Sequence, residues 1–174
     1  MVKKIAIALL CTALSSSLYA RDISEGKGFI GLEVGAATVQ GDTYYKPGHE
    51  GNAVEFGLRI GAQKDEWRTM FAFDYFDSSS DDQNIEKSFL MVDYFLYESD
   101  AEIKIKPFIG LNLGYVNYES TFVDVSDFAY GAQAGVTVGI TEYLDLDLSY
   151  RYSLSSADEL DNMGSIVFGV NYLY

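Results

Sequence analysis

The sequence predicts an all-β chain, an eight-stranded antiparallel up-and-down β-barrel that crosses a membrane with its strands. Three observations predict it. Apolar and polar residues alternate with period two along most of the chain, as in strands with a different environment on each face. After the first twenty residues no apolar run approaches the ~18 residues of a spanning helix. The alternating segments number eight, and each has about the ten residues that a tilted strand needs to cross a bilayer.

Residues 1–20 stand apart. Lys3 and Lys4 precede the apolar run from Ile5 to Leu10, and Leu18-Tyr19-Ala20 closes the stretch. This is the order of a secretory signal peptide, expected to be cleaved after Ala20. Cys11 lies within it, and bulky Leu10 before it argues against a lipid-attachment site. Cleavage leaves 154 of the 174 residues, one domain over 21–174. That domain would hold no cysteine and one histidine, His49. No disulfide, His-based metal site or cofactor is therefore expected. The formal charge of −14 becomes −16 once Lys3 and Lys4 are removed, which excludes nucleic acid as a partner.

The strands follow in order. Residues 28–39 set Ile30, Leu32 and Val34 against Gly31, Glu33 and Gly35. Residues 53–63 set Val54, Phe56, Leu58 and Ile60 against Glu55, Gly57, Arg59 and Gly61. In 67–76, Phe71, Phe73 and Tyr75 oppose Met70, Ala72 and Asp74; in 86–97, Leu90, Val92 and Tyr94 oppose Met91, Asp93 and Phe95. Residues 106–115 oppose Ile109, Leu111 and Leu113 to Gly110, Asn112 and Gly114. Residues 129–140 oppose Tyr130, Ala132 and Val136 to Gly131, Gln133 and Thr137. Residues 144–154 oppose Leu146, Leu148 and Tyr150 to Asp145, Asp147 and Arg151. The last segment, 165–174, places Ile166, Phe168, Val170, Tyr172 and Tyr174 on one parity.

Connections alternate in length. Residues 40–52, 77–84, 119–127 and 155–162 read as long polar loops, and shorter links join the other strand pairs. Short turns on one side and long loops on the other are the pattern of an outer-membrane barrel, with both termini at the periplasmic side. Alternation alone would also suit a soluble lipocalin-like barrel with its apolar face inward. Glycines crowd the polar face, which suits a narrow interior. Tyrosines gather near strand ends (Tyr75, Tyr97, Tyr118, Tyr130, Tyr143, Tyr152, Tyr172 and Tyr174) as interfacial girdles would require. The polar face has few lysines, unlike a soluble exterior. The polar face is therefore expected to point inward. Glu33, Glu55, Arg59, Asp74, Asp93, Asp145, Asp147 and Arg151 would fill the lumen as an ion-pair network. If residue 38 pairs with 54, Glu33 faces Arg59; a slip of two residues moves Arg59 opposite Gly31 or Gly35, still within reach. Glu55 or Asp74 would be a second partner for Arg59.

The segments KPFIGLNLGY, FAYGAQAGVTVGITEYLDLDLSYRY and VFGVNYLY resemble the small bacterial outer-membrane β-barrel family of OmpA-type transmembrane domains and OmpX-like proteins, often labelled porins. The resemblance spans the chain after residue 20 and rests on pattern. It implies a bacterial outer-membrane location and contact with outer-membrane lipid and lipopolysaccharide. It also implies recognition by the barrel-assembly machinery through Ile166, Phe168, Val170, Tyr172 and Tyr174. No periplasmic domain is expected after the barrel, so peptidoglycan anchoring is not.

The functional expectation is a monomeric, non-enzymatic barrel with a charge-filled interior and acidic extracellular loops, serving envelope integrity or surface interaction through an unidentified loop partner. A small channel is the alternative. A lipid A-modifying enzyme is a lesser one, resting on His49, Asp77 and Ser78 in the first two long loops. The acidic clusters Asp77/Asp81/Asp82 and Asp158/Glu159/Asp161 read as solvated charge rather than as calcium sites.

Overall fold

The computed structural model describes residues 26–43, 46–78, 83–99, 104–120, 124–156 and 160–174. The signal peptide expected at 1–20 lies outside them. Eight strands form in chain order: β1 (Lys27–Thr43), β2 (Lys46–Lys64), β3 (Trp67–Ser78), β4 (Gln83–Phe95), β5 (Lys104–Ser120), β6 (Asp124–Thr141), β7 (Leu144–Ser155) and β8 (Leu160–Leu173). Each pairs antiparallel with its neighbours, and β1 pairs with β8 to close the barrel. At the seam Phe29 lies opposite Leu173. Gly28 and Tyr174 exchange backbone hydrogen bonds of 3.0 and 2.9 Å, so the last residue continues the closing ladder and leaves no edge there.

The stagger follows from the pairing. From Glu33, the partners run through Gly57, Asp74, Lys87 and Val116 to Asp127 on β6. In the other direction they run through Gly169 and Asp147 to Thr137, also on β6. The two arrivals differ by ten residues. With ~3.3 Å per residue and ~4.8 Å between strands, eight strands staggered by ten tilt about 40°. Such a barrel is narrow enough for side chains from opposite walls to meet across it.

Parity decides which residues face out. Leu32, Phe56 and Leu111 are exposed, at 63%, 63% and 70%; Glu33, Glu55, Asp74 and Asp93 on the other parity are buried. The outward apolar band runs from Trp67, Tyr94 and Tyr172 near the short turns to Tyr75, Tyr115 and Leu154 near the other rim. Its height is about 25 Å for strands at this tilt, the height of the lipid-facing band of such barrels.

Four expectations need correction. First, the strands are 12 to 19 residues long rather than about ten, so that most of 40–52, expected as loop, is a paired continuation of β1 and β2 through Gly41 opposite His49. The ladder continues because inward residues at this height are apolar and pack together: Val39, Phe76, Ile85, Val116, Tyr118 and Leu160 are each at most 1% exposed. The same layer corrects a second expectation, a lumen filled by charge, since among the described residues the buried charged side chains lie below it. It also corrects the third. Tyr118 shares the inward parity of Val116 and is fully buried, so it belongs to this layer and not to a girdle. Fourth, Glu33 pairs with Gly57 and Arg59 with Gly31, two residues from the centred register. Inward position was unaffected, since a two-residue shift preserves the face.

Candidate functional site

Charged side chains on one parity of strands with a fixed stagger converge below the apolar layer. Arg151 on β7 donates to Glu33 on β1 at 3.0 Å and to Asp74 on β3 at 2.7 Å. Glu33 also pairs with Arg59 on β2 at 3.3 Å. Arg59 reaches across to Asp147 on β7 at 2.7 Å, and Asp147 takes Arg68 on β3 at 2.9 Å. Arg68 pairs with Asp93 on β4 at 2.8 Å. Gln133 on β6 closes the circuit, donating to Asp93 at 2.6 Å and accepting from the Arg151 Nε at 3.3 Å. The ring therefore links β1, β2, β3, β4, β6 and β7, and four of its six ion pairs join β1–β3 to β7.

Asp147 is hydrogen-bonded beyond its ion pairs, as a buried charge needs. Asp147 accepts from Thr137 at 2.6 Å and from Asn171 at 3.0 Å. The Arg68 guanidinium carbon lies 4.6 Å from the Phe108 ring centre and 5.3 Å from that of Phe95, so two aromatic faces cover its periplasmic side. Glycine makes room at the tightest approaches. A Cβ on Gly169 would collide with the Arg59 guanidinium, and one on Gly57 with the Asp74 carboxylate.

The eight residues expected in the network are all buried, but they do not form one cluster. Glu33, Arg59, Asp74, Asp93, Asp147 and Arg151 meet in the ring. Glu55 stands above it in a separate pair with Lys87. Asp145 lies at the periplasmic mouth and accepts from Gln63 at 3.5 Å. The second partner of Arg59 is Asp147 rather than Glu55 or Asp74, because the stagger brings β7 across the lumen at its height. Two buried cations were missed, Arg68 and Lys87. Their parity was the available signal: Arg68 precedes Met70 by two residues, and Lys87 precedes Phe89 and Met91. Of the residues behind the enzyme alternative, Asp77 is exposed, while the side chains of His49 and Ser78 lie outside the description. So do Asp81, Asp82, Asp158 and Glu159.

The outer membrane protein beta-barrel domain model matches residues 6–173. Among solved structures, Neisserial surface protein A is 16% identical, aligned over 86% of this chain and 100% of that one with a TM-score of 0.70. The attachment invasion locus protein of Yersinia pestis is 18% identical over 86% and 99% of the two chains, TM-score 0.54. Its complex with the heparin analogue sucrose octasulfate aligns at 0.50. Outer membrane protein H of P. aeruginosa, solved in micelles, is 19% identical over 85% and 99%, TM-score 0.59. At these identities the likeness is one of fold. No curated protein sequence matches the chain.

Proposed function

The chain belongs to the outer membrane protein β-barrel domain family, and from that premise we propose a non-enzymatic, non-conducting envelope protein that acts through its outer surfaces. A bacterial outer-membrane barrel is its setting. The observation that carries the reading is the lumen, filled by a closed ring of mutually paired charges and covered on the extracellular side by a buried apolar layer. An ion would have to break several buried pairs and cross that layer, both costly.

What remains available is the rim. The outward side chains Glu50, Asp77, Glu86, Glu119, Asp124 and Asp161 are exposed around the extracellular end. Among the lysines whose side chains are described, the exposed ones, Lys27, Lys64 and Lys104, lie at the periplasmic end. Such a rim favours cationic surfaces and repels polyanions. In that respect it is a poor match for sucrose octasulfate, which the Yersinia protein was crystallised with. Planar-bilayer recording tests the closed lumen: we expect no steady conductance, and stable channels of general-porin size from single barrels would overturn the reading. An altered lipid A profile in a deletion strain would overturn its non-enzymatic part.

A further inference from the structure

We propose that Glu33 and Asp74 share one proton inside the lumen, carried on the Asp74 carboxyl and donated to Glu33, and that the barrel therefore loses stability as pH rises. The inference starts from the ion-pair ring and adds to the closed-lumen reading a charge that no side chain supplies.

Among the described residues six carboxylates are buried, Glu33, Glu55, Asp74, Asp93, Asp145 and Asp147, against four cations, Arg59, Arg68, Lys87 and Arg151. Asp145 stands at the periplasmic mouth, where the Lys106 ammonium acts on it. Setting it aside leaves five anions and four cations. An uncompensated charge is costly to bury, so one more positive charge belongs inside.

The pairing shows where it sits. Asp93 takes two hydrogen bonds from Arg68 and one from Gln133. Asp147 takes Arg59 and Arg68. Glu55 has one bare oxygen, but its charge is matched by Lys87. Asp74 has only a share of Arg151, which gives one nitrogen to Asp74 Oδ2 at 2.7 Å and the other to Glu33 Oε1 at 3.0 Å. Asp74 Oδ1 is buried without a donor among the described residues. The two carboxyls lie within hydrogen-bond reach of one another, and a Cβ on Gly57 would collide with both Asp74 Oδ1 and Glu33 Cγ. Ionised carboxylates only accept hydrogen bonds. Two that meet in one buried site are held by a proton between them.

The surrounding charges leave that proton as the one available neutraliser. They are Glu33 on β1, Glu55 and Arg59 on β2, Arg68 on β3, Lys87 and Asp93 on β4, and Asp147 and Arg151 on β7; β5, β6 and β8 add no buried charge among the described residues, apart from neutral Gln133 and its like. Lys87 lies directly opposite Asp74 in register, yet its ammonium is taken by Glu55. An aspartate in the unfolded chain is ionised well below neutrality, so folding takes up one proton at neutral pH. Stability is then greatest on the acid side and falls with rising pH, the unfolding constant growing about tenfold per pH unit. Asparagine reproduces the protonated acid bond for bond, with an N–H toward Glu33 and an oxygen for Arg151.

The test uses the full barrel refolded in detergent. Its infrared spectrum at neutral pH should contain a protonated-carboxyl C=O band that Asp74→Asn lacks. In urea unfolding between about pH 6 and about pH 8, wild type should lose about tenfold per pH unit relative to Asp74→Asn. Absence of the band from wild type would overturn the proposal, as would parallel pH curves for the two proteins. So would failure of Asp74→Asn to fold, since a neutral isostere could then not stand in for Asp74. Stabilisation of wild type by sodium at constant ionic strength would also overturn it, because a metal cation would then supply the missing charge. Bilayer conductance reports on the seal and on neither the band nor the slope, so failure here and failure of the closed-lumen reading are separable.

Discussion

Substituting Gly169 by alanine adds one methyl group to β8, and its cost is carried by a residue on another strand. The new Cβ would occupy the place of the Arg59 guanidinium, which is held there by Asp147 at 2.7 Å and Glu33 at 3.3 Å. Breaking a buried ion pair by removing one partner typically costs about 3–5 kcal/mol, because the remaining charge is uncompensated. Here both anions keep a second cation: Glu33 retains Arg151 at 3.0 Å, and Asp147 retains Arg68 at 2.9 Å. The loss should therefore fall below that range, at about 2–3 kcal/mol for Arg59→Met. Gly169→Ala, which displaces the guanidinium without deleting it, should cost about 2 kcal/mol, within the usual span for overpacking. The assay is urea unfolding of the barrel in detergent, read by the heat-sensitive gel-mobility shift. The double variant decides the mechanism. If the methyl acts by evicting Arg59, adding Gly169→Ala to Arg59→Met should cost less than about 0.5 kcal/mol, a coupling expected of residues in contact. An undiminished cost in that background would refute the reasoning, since the methyl would then be straining the strand itself.

Three further outcomes follow from the termini and turns. Deleting Tyr174 removes the two seam hydrogen bonds to Gly28 and the last position of the proposed assembly signal, so barrel assembly in cells should slow and protease-sensitive periplasmic chains accumulate, measured by surface proteolysis. Asp65, in the two-residue turn between β2 and β3, has φ of 51°; Asp65→Gly should relieve left-handed strain and raise stability by about 0.5 kcal/mol, checked by the same urea titration. At the periplasmic end, hydrogen bonds from Lys106, aided by Lys104, hold the Glu98 carboxyl below the usual carboxylate range. Its contribution is present above the ordinary glutamate pKa and is lost as pH falls through the lowered value; Glu98→Gln should remove that acid-side slope, worth only about 0.3 kcal/mol for so exposed a pair.

Much of this architecture was legible because period two is a strong signal. Parity alone placed Leu32 and Leu111 outside and Glu33 and Asp93 inside. Partners were another matter. Whether Arg59 meets Glu55, Asp74 or Asp147 depends on register and on the ten-residue stagger, and neither leaves a trace in any single strand. Arg68 and Lys87 were overlooked where strand ends meet turn-like sequence. Arg68 follows the charged Lys64-Asp65-Glu66, and Lys87 sits close to the acidic 77–82 stretch. Their parity was right, but the apolar alternation that would have marked it was too short on that side.

The apolar layer at the extracellular end shows why one alternating pattern can serve two solvents. Halfway along β5, Leu113 faces out and Asn112 faces in; near its end, Asn117 faces out and Tyr118 faces in. The backbone has not changed face, since the parity is unbroken. What changes is the surroundings. Within the bilayer an apolar outer face gains nothing by being buried, because lipid tails are as apolar as leucine. The lumen there is free to be held by the ion-pair ring. Above the bilayer the outside is water, burial of apolar surface again drives packing, and the inner positions become Val39, Phe76, Ile85 and Val116. The point at which both faces exchange character marks the upper limit of the lipid. It also explains why the strands do not stop there: beyond that height the barrel continues with an ordinary apolar core, and this core is what holds the paired extensions that carry the acidic rim.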